Sequence, residues 1–134
     1  MTKEALLAQP AEQYMDEQQK AFFRDLLLSE RQDLQLRIDG DFQGLREHEN
    51  ESDPADVGSA EEQRLWQLRM LERAKKLLDK IDRALDRIAR DDYGWCEETG
   101  EPIGLKRLLL RPTATLSIEA KERQELREKH MREN

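Results

Sequence analysis

Two carboxylates, Asp53 and Asp56, sit in the stretch Asn50-Glu51-Ser52-Asp53-Pro54-Ala55-Asp56, the sharpest break in an otherwise helical pattern. Proline suits the first turn of a helix and drives the residue before it out of the helical region. Asp53 is therefore expected as an N-cap, Pro54 as the first helical residue and Asp56 as the third. Capping alone accounts for both acids, because the free N–H groups and dipole at a helix start favour negative charge. A second use is compatible with the first. A capped turn is rigid, and at the tip of a helical hairpin it presents two carboxylates to a metal or cation held by a partner.

Charge is segregated around that turn. Residues 39–62 carry nine acidic side chains and one basic one, whereas residues 63–90 carry nine basic and four acidic. An acidic tip thus lies beyond a basic stem of Arg73, Lys75, Lys76, Lys80, Arg83 and Arg87. One account of the stem is a solvated helix flank balanced by Glu72, Asp79 and Asp82, which contributes little. The other is a platform for an anionic partner or nucleotide, joined by Arg107, Arg111 and Lys121. The residue types leave both open.

Cys96 is the one cysteine of the chain, so it forms no intramolecular disulfide, and a reducing cytoplasm is the expected setting. A structural zinc needs four clustered thiolate or imidazole ligands. Here Thr99 stands where a C-x-x-C partner would be, and His48 and His130 are far off in sequence, so zinc is not expected. As a nucleophile Cys96 lacks a neighbouring base. There is no phosphate-cradling glycine loop, no Ser/His/Asp grouping and no HExxH motif, and no enzymatic activity is expected.

The elements that hold these residues follow from apolar spacing. Phe23, Leu27, Leu34, Ile38 and Leu45 recur at helical intervals over about 15–50, with Arg31 and Asp41 interrupting the stripe. Leu68, Leu71, Ala74, Leu78, Ile81, Leu85 and Ile88 follow steps of three and four, close to a heptad seam. Two such arms around one break read as an antiparallel coiled-coil hairpin over 15–90, its tip near 50–58 and each arm reaching about 50 Å. Residues 1–14 form a lead segment, irregular or a short helix, expected near the globular end. Residues 91–134 begin with a turn-rich stretch containing Gly94, Gly100, Pro102 and Gly104 and end in a charged helix over 118–131. Trp95, Ile103, Leu105, Leu108, Leu116 and Ile118 are its expected core.

Composition agrees with elongated helices: of 134 residues, 40% are charged and 37% apolar, with net charge −7 and pI near 5.0. That balance argues against coating nucleic acid. No run approaches the roughly 20 apolar residues of a membrane span, and the N-terminus lacks the pattern of a signal peptide.

The stretch Asp-Tyr-Gly-Trp-Cys-Glu-Glu-Thr-Gly-Glu-Pro-Ile-Gly at 92–104, with Arg107-Leu108, Arg111-Pro112-Thr113-Ala114 and the Asp-Pro-Ala-Asp of 53–56, resembles the DksA/TraR regulators of bacterial RNA polymerase. The resemblance runs over nearly the whole chain. It implies a mainly α fold: a lead, a coiled-coil hairpin and a small zinc-finger-like module closed by a C-terminal helix. It implies a transcription regulator that inserts the hairpin through the polymerase secondary channel, reads no DNA sequence, lowers output at ribosomal RNA promoters and raises it at others. The alarmone ppGpp would act with it as a shared effector at the polymerase interface. By position, the tip residues are Asp53, Asp56 and Gly58, and the ppGpp contacts are Arg73, Leu77, Lys80, Arg111 and Lys121. The family's zinc cysteines fall on Cys96, Thr99, Ser117 and Ala120, so three of four are gone, as in zinc-independent, cysteine-poor members. Gly58 stands where alanine is common, and glycine loosens a helix start by about 0.5–1 kcal/mol. A monomer without membrane contact is expected. The alternatives are a Gre-like transcript-cleavage or elongation factor, which also uses an acidic hairpin tip, and a structural coiled-coil adaptor.

Overall fold

The computed structural model describes residues 1–49 and 57–133. The expected acidic turn with Asp53, Pro54 and Asp56 lies outside the described residues. Among those described the fold is helical: α1 (Lys3–Leu7), a 3-10 turn (Ala11–Gln13), α2 (Glu17–Glu49), α3 (Val57–Ala89), α4 (Leu105–Leu110) and α5 (Ile118–Glu133). They assemble into two compact units, one of Leu28–Asp82 and one of Met1–Leu27 with Arg83–Asn134.

In the Leu28–Asp82 unit, α2 and α3 pair side by side. Arg31 from the early part of α2 donates its Nε–H to Asp82 Oδ1 at 2.6 Å, near the end of α3. The chain joins the opposite ends of the two helices, so they run antiparallel. Leu34, Ile38 and Leu45 are buried from one helix, Leu71 and Ile81 from the other. Arg31 interrupts the apolar stripe at no large cost because Asp82 meets it, and that partner raises the Arg31 pKa above its ordinary value. The heptad seam is looser than its spacing predicts: Leu68 is 44% exposed. In this half of the pair α2 carries Gly40, Asp41 and Gly44, which offer no large apolar surface for α3 to cover.

The other unit is built from both ends of the chain. Thr2 caps α1 by accepting the Ala5 N–H at 3.0 Å, and Leu6 is fully buried. Asp16 caps α2 by accepting the Gln19 N–H at 2.9 Å. The buried Gln19 side chain accepts the Met15 N–H and donates to Gln9, each at 2.9 Å, which ties the lead to the helix it precedes. Phe23 meets Tyr93 with ring centroids 5.5 Å apart, and Leu27, Ala84, Ile88, Ile103, Leu108 and Ala120 complete the core. Full burial of a large apolar side chain contributes about 1.5–3 kcal/mol.

After α3 the chain folds into a knuckle. Cys96 N–H donates to Glu101 O and Ile103 N–H to Gly94 O, both at 2.8 Å, around an isolated antiparallel bridge between Trp95 and Pro102. Gly94 is required twice over: its φ is +90°, and a Cβ there would stand 2.8 Å from Met15 Cγ. The predicted core of this end needs correcting. Ile103 and Leu108 are buried, but Trp95 is 37% exposed and Ile118 is exposed at the start of α5. Tyr93, Cys96 and Ala120 fill the interior instead. No helix of the described residues is long and apolar enough to cross a membrane.

Candidate functional site

On α3, Arg73, Leu77 and Lys80 are spaced by four and three residues, so they share one stripe of the helix, and all three are exposed. Arg73 and Leu77 also line a groove between α2 and α3. Lys75, Lys76 and Arg83 are exposed on the same helix. Gly58 is exposed in the first turn of α3, and a Cβ there would meet nothing within 4 Å, so no steric demand selects glycine.

In the unit built from the chain ends, Arg111 follows α4 and is exposed. Lys121, half-buried in the first turns of α5, donates its Nζ to Gln124 Oε1 at 3.1 Å. A clamp of two arginines ties α5 to the knuckle. Arg123 and Arg127 each reach the Glu98 carboxylate at 3.4 Å.

Two members of the expected basic platform prove to be structural. Arg87 is only 8% exposed. Its Nη2 donates to Trp95 O at 3.1 Å and Asp92 O at 3.4 Å, and its Nη1 lies 3.3 Å from Glu97 Oε1. Its own carbonyl accepts the N–H groups of Asp92 and Tyr93. Arg107 donates Nε–H to Leu116 O at 2.9 Å. The Arg87 guanidinium, spent on groups of its own fold, is not free for an anion, whereas Arg107 commits only its Nε–H.

The four zinc positions of the family come together but do not form a zinc site. Cys96, Ser117 and Ala120 are buried. The Ser117 hydroxyl accepts the Ala120 N–H at 3.2 Å. Burial pushes the Cys96 thiol pKa up, but hydrogen bonds to the sulfur from the Thr99 hydroxyl and from the Ser117, Thr99 and Glu98 N–H groups bring it down to about 6. One thiolate, two hydroxyls and a methyl cannot supply the four soft donors of a structural zinc. No group of three or more His, Cys, Asp or Glu among the described residues could hold a metal. The sulfur is met by N–H and O–H donors where a zinc finger would meet it with metal.

The lead segment contributes a residue that its weak patterning did not single out. Tyr14 donates its hydroxyl to Gly94 O at 2.6 Å and accepts the Gly104 N–H at 3.0 Å, closing both ends of the knuckle. Its ring stands edge-on to Trp95 with centroids 5.2 Å apart. Burial raises the Tyr14 pKa above its ordinary value. A lone tyrosine in a short segment carries no periodic signal, and only the fold-back of residues 94–104 gives it a partner.

A paired-helix hairpin joined to a zinc-knuckle fold that lacks its ligands defines a small class of proteins. Residues 19–88 match the DnaK suppressor protein DksA N-terminal domain, and residues 91–126 match the prokaryotic dksA/traR C4-type zinc finger. The chain belongs to the DksA family. It is 44% identical over 124 residues to the RNA polymerase-binding transcription factor DksA of Caulobacter vibrioides, covering 92% of this chain and 87% of that one. To the protein of the same description from Escherichia coli K12 it is 40% identical over 123 residues, covering 91% and 82%. Among solved structures, transcription factor DksA2 from Pseudomonas aeruginosa is 70% identical with a TM-score of 0.90, covering 96% of this chain and 100% of that one.

Proposed function

We propose that this chain is a transcription regulator that binds bacterial RNA polymerase through its secondary channel and modulates initiation together with ppGpp, negatively at ribosomal RNA promoters and positively at others. The observation that carries the reading is likeness along nearly the full chain to relatives described as RNA polymerase-binding transcription factors. The exposed stripe of Arg73, Leu77 and Lys80 supports it, since two cations flanking an apolar side chain suit an anionic nucleotide. Arg111 and Lys121 complete the ppGpp set in this reading. Asp53 and Asp56 perturb elements near the polymerase catalytic magnesium, and Gly58 sets how firmly their turn is aimed. The lead (1–14), hairpin (15–90) and end module (91–134) then divide the labour between anchoring and probing.

The factor works in the cytoplasm as a monomer, is not an enzyme, and reads no DNA sequence. It needs no zinc, because the donors around Cys96 do not suit one.

In vitro transcription with purified polymerase, with and without ppGpp, tests this. Asp56→Asn abolishes inhibition at a ribosomal RNA promoter while polymerase affinity stays within about twofold; joint loss of binding and inhibition would refute a tip-specific role. Lys80→Ala weakens the ppGpp response by about tenfold, the effect of one lost charged contact, and an unchanged response would remove the nucleotide from this stripe.

A further inference from the structure

The surroundings of Lys121 suit an anion better than they suit the fold. It lies in the first turns of α5 (Ile118–Glu133), where the positive end of the helix dipole gains nothing from a cation. Elsewhere in the same unit cations meet carboxylates: Lys20 pairs with Glu17 and Asp91, Arg87 with Glu97, and Arg123 and Arg127 with Glu98. Lys121 forms no ion pair among the described residues, although Glu125 follows it at i+4. Its partner is the neutral side chain of Gln124, with Nζ donating to Oε1 at 3.1 Å.

An ammonium carries donors only, so the amide must turn its oxygen towards Lys121 and its N–H groups away. A neutral acceptor orients the ammonium without cancelling its charge, as a carboxylate at the same place would. Gln124 occupies one of the ammonium's N–H donors and leaves the others for phosphate oxygens. The base of the side chain is held as well. Lys121 N–H donates to Ser117 O at 2.9 Å, and the buried Ser117 hydroxyl accepts the Ala120 N–H at 3.2 Å. A lysine free at both ends gives up much rotameric freedom when it grips a ligand. Here both ends are settled beforehand.

We propose that Gln124 is a positioning residue for nucleotide recognition: it holds the Lys121 ammonium in place, with its charge uncompensated, for the phosphates of ppGpp. The inference rests on the ppGpp reading above and adds a requirement to it, that position 124 carry a neutral acceptor. A carboxylate there would pair with Lys121 and repel the phosphates. The helix itself would accept the carboxylate, because opposite charges at i,i+3 support it. What the nucleotide needs at this position therefore differs from what the fold needs.

The test measures the ppGpp concentration for half-maximal inhibition of a ribosomal RNA promoter by the full chain with purified polymerase. Gln124→Met keeps the length and helix propensity but removes the acceptor, and raises that concentration about threefold, the effect of leaving one lysine unordered. Gln124→Glu raises it about tenfold, the effect of one lost charged contact. Both variants keep the melting temperature and the polymerase affinity measured without ppGpp. A merely structural Gln124 would let the glutamate variant respond to ppGpp like the unaltered chain, and that result overturns the proposal. In a Lys121→Ala background Gln124→Met has no further effect, because the amide acts through the ammonium; additive losses overturn the proposal too. Should Lys121→Ala leave the response unaltered, the ppGpp reading at this residue falls together with the inference. A weakened response in Lys121→Ala beside an unaltered one in Gln124→Glu overturns the positioning role alone.

Discussion

Replacing Arg87 with alanine should cripple the knuckle without touching any partner surface. Hydrogen bonds involving a charged group contribute about 1.5–3 kcal/mol each. The bond to Trp95 O at 3.1 Å has good geometry, while the contact to Asp92 O at 3.4 Å lies beyond the usual range and adds little. Glu97 is largely exposed, so its pairing with Arg87 is screened and adds about 0.2–1 kcal/mol. Alanine also strips a donor from the Trp95 carbonyl, at a cost of about 1–3 kcal/mol if water does not replace it. Because these contributions overlap, the expected loss is about 2–4 kcal/mol. Urea denaturation followed by circular dichroism reads this as a lower midpoint with an unchanged slope. Arg87→Lys should recover less than half, since an ammonium cannot span the contacts of a planar fork. A midpoint within about 0.5 kcal/mol of the unaltered protein would refute the assignment, and weaker polymerase binding at unchanged stability would return Arg87 to the basic platform.

Cys96 links the same region to pH. Its folded pKa of about 6 lies below the ordinary thiol value, so the stability it contributes is complete above the unfolded value and disappears as pH falls through about 6. Melting curves from pH 9 to pH 5.5 should show a loss of up to about 3 kcal/mol that Cys96→Ser flattens, with chelator present throughout and without effect; identical pH profiles for both proteins would contradict the thiolate. Tyr14→Phe keeps the ring against Trp95 but removes the bond to Gly94 O and the acceptor for Gly104 N–H. It should cost about 1–2 kcal/mol and speed hydrogen exchange at the Gly104 amide, and unaltered exchange there would show that the hydroxyl is not the acceptor.

The helices were legible because period and caps are local properties. The apolar stripe of α2, the seam of α3 around Leu71 and Ile81, and the start of α5 at Ile118 all follow from spacing within a few turns. Arg87 was not legible. By residue type and spacing it matches Arg73, Lys80 and Arg83, and only the return of residues 91–97 over the end of α3 buries it. Trp95 and Ile118 misled in the opposite sense: apolar type predicts burial, yet the interior is taken by Tyr93, Cys96 and Ala120. Leu68 shows a limit of heptad reasoning, since a seam position packs only as well as the opposing helix allows. The ligand-poor character of the zinc positions was readable from residue types, whereas the donors that converge on the Cys96 sulfur required the turn through Glu98 and Thr99 and the return of the chain at Ser117.

Tyr14 has a consequence for how the chain is made. Its hydroxyl meets Gly104 across 90 positions of sequence, and the unit that contains both is assembled from the first 27 residues and the last stretch from Arg83 onward. At a synthesis rate of about 5–20 residues per second, the lead would leave the ribosome roughly 5–18 s before the knuckle it closes upon. Leu6, Met15 and Phe23 wait through that interval without their final cover, while Leu28–Asp82 can pair as soon as Asp82 emerges. The hairpin therefore comes off the ribosome as the early-folding piece, and the end that grips comes last.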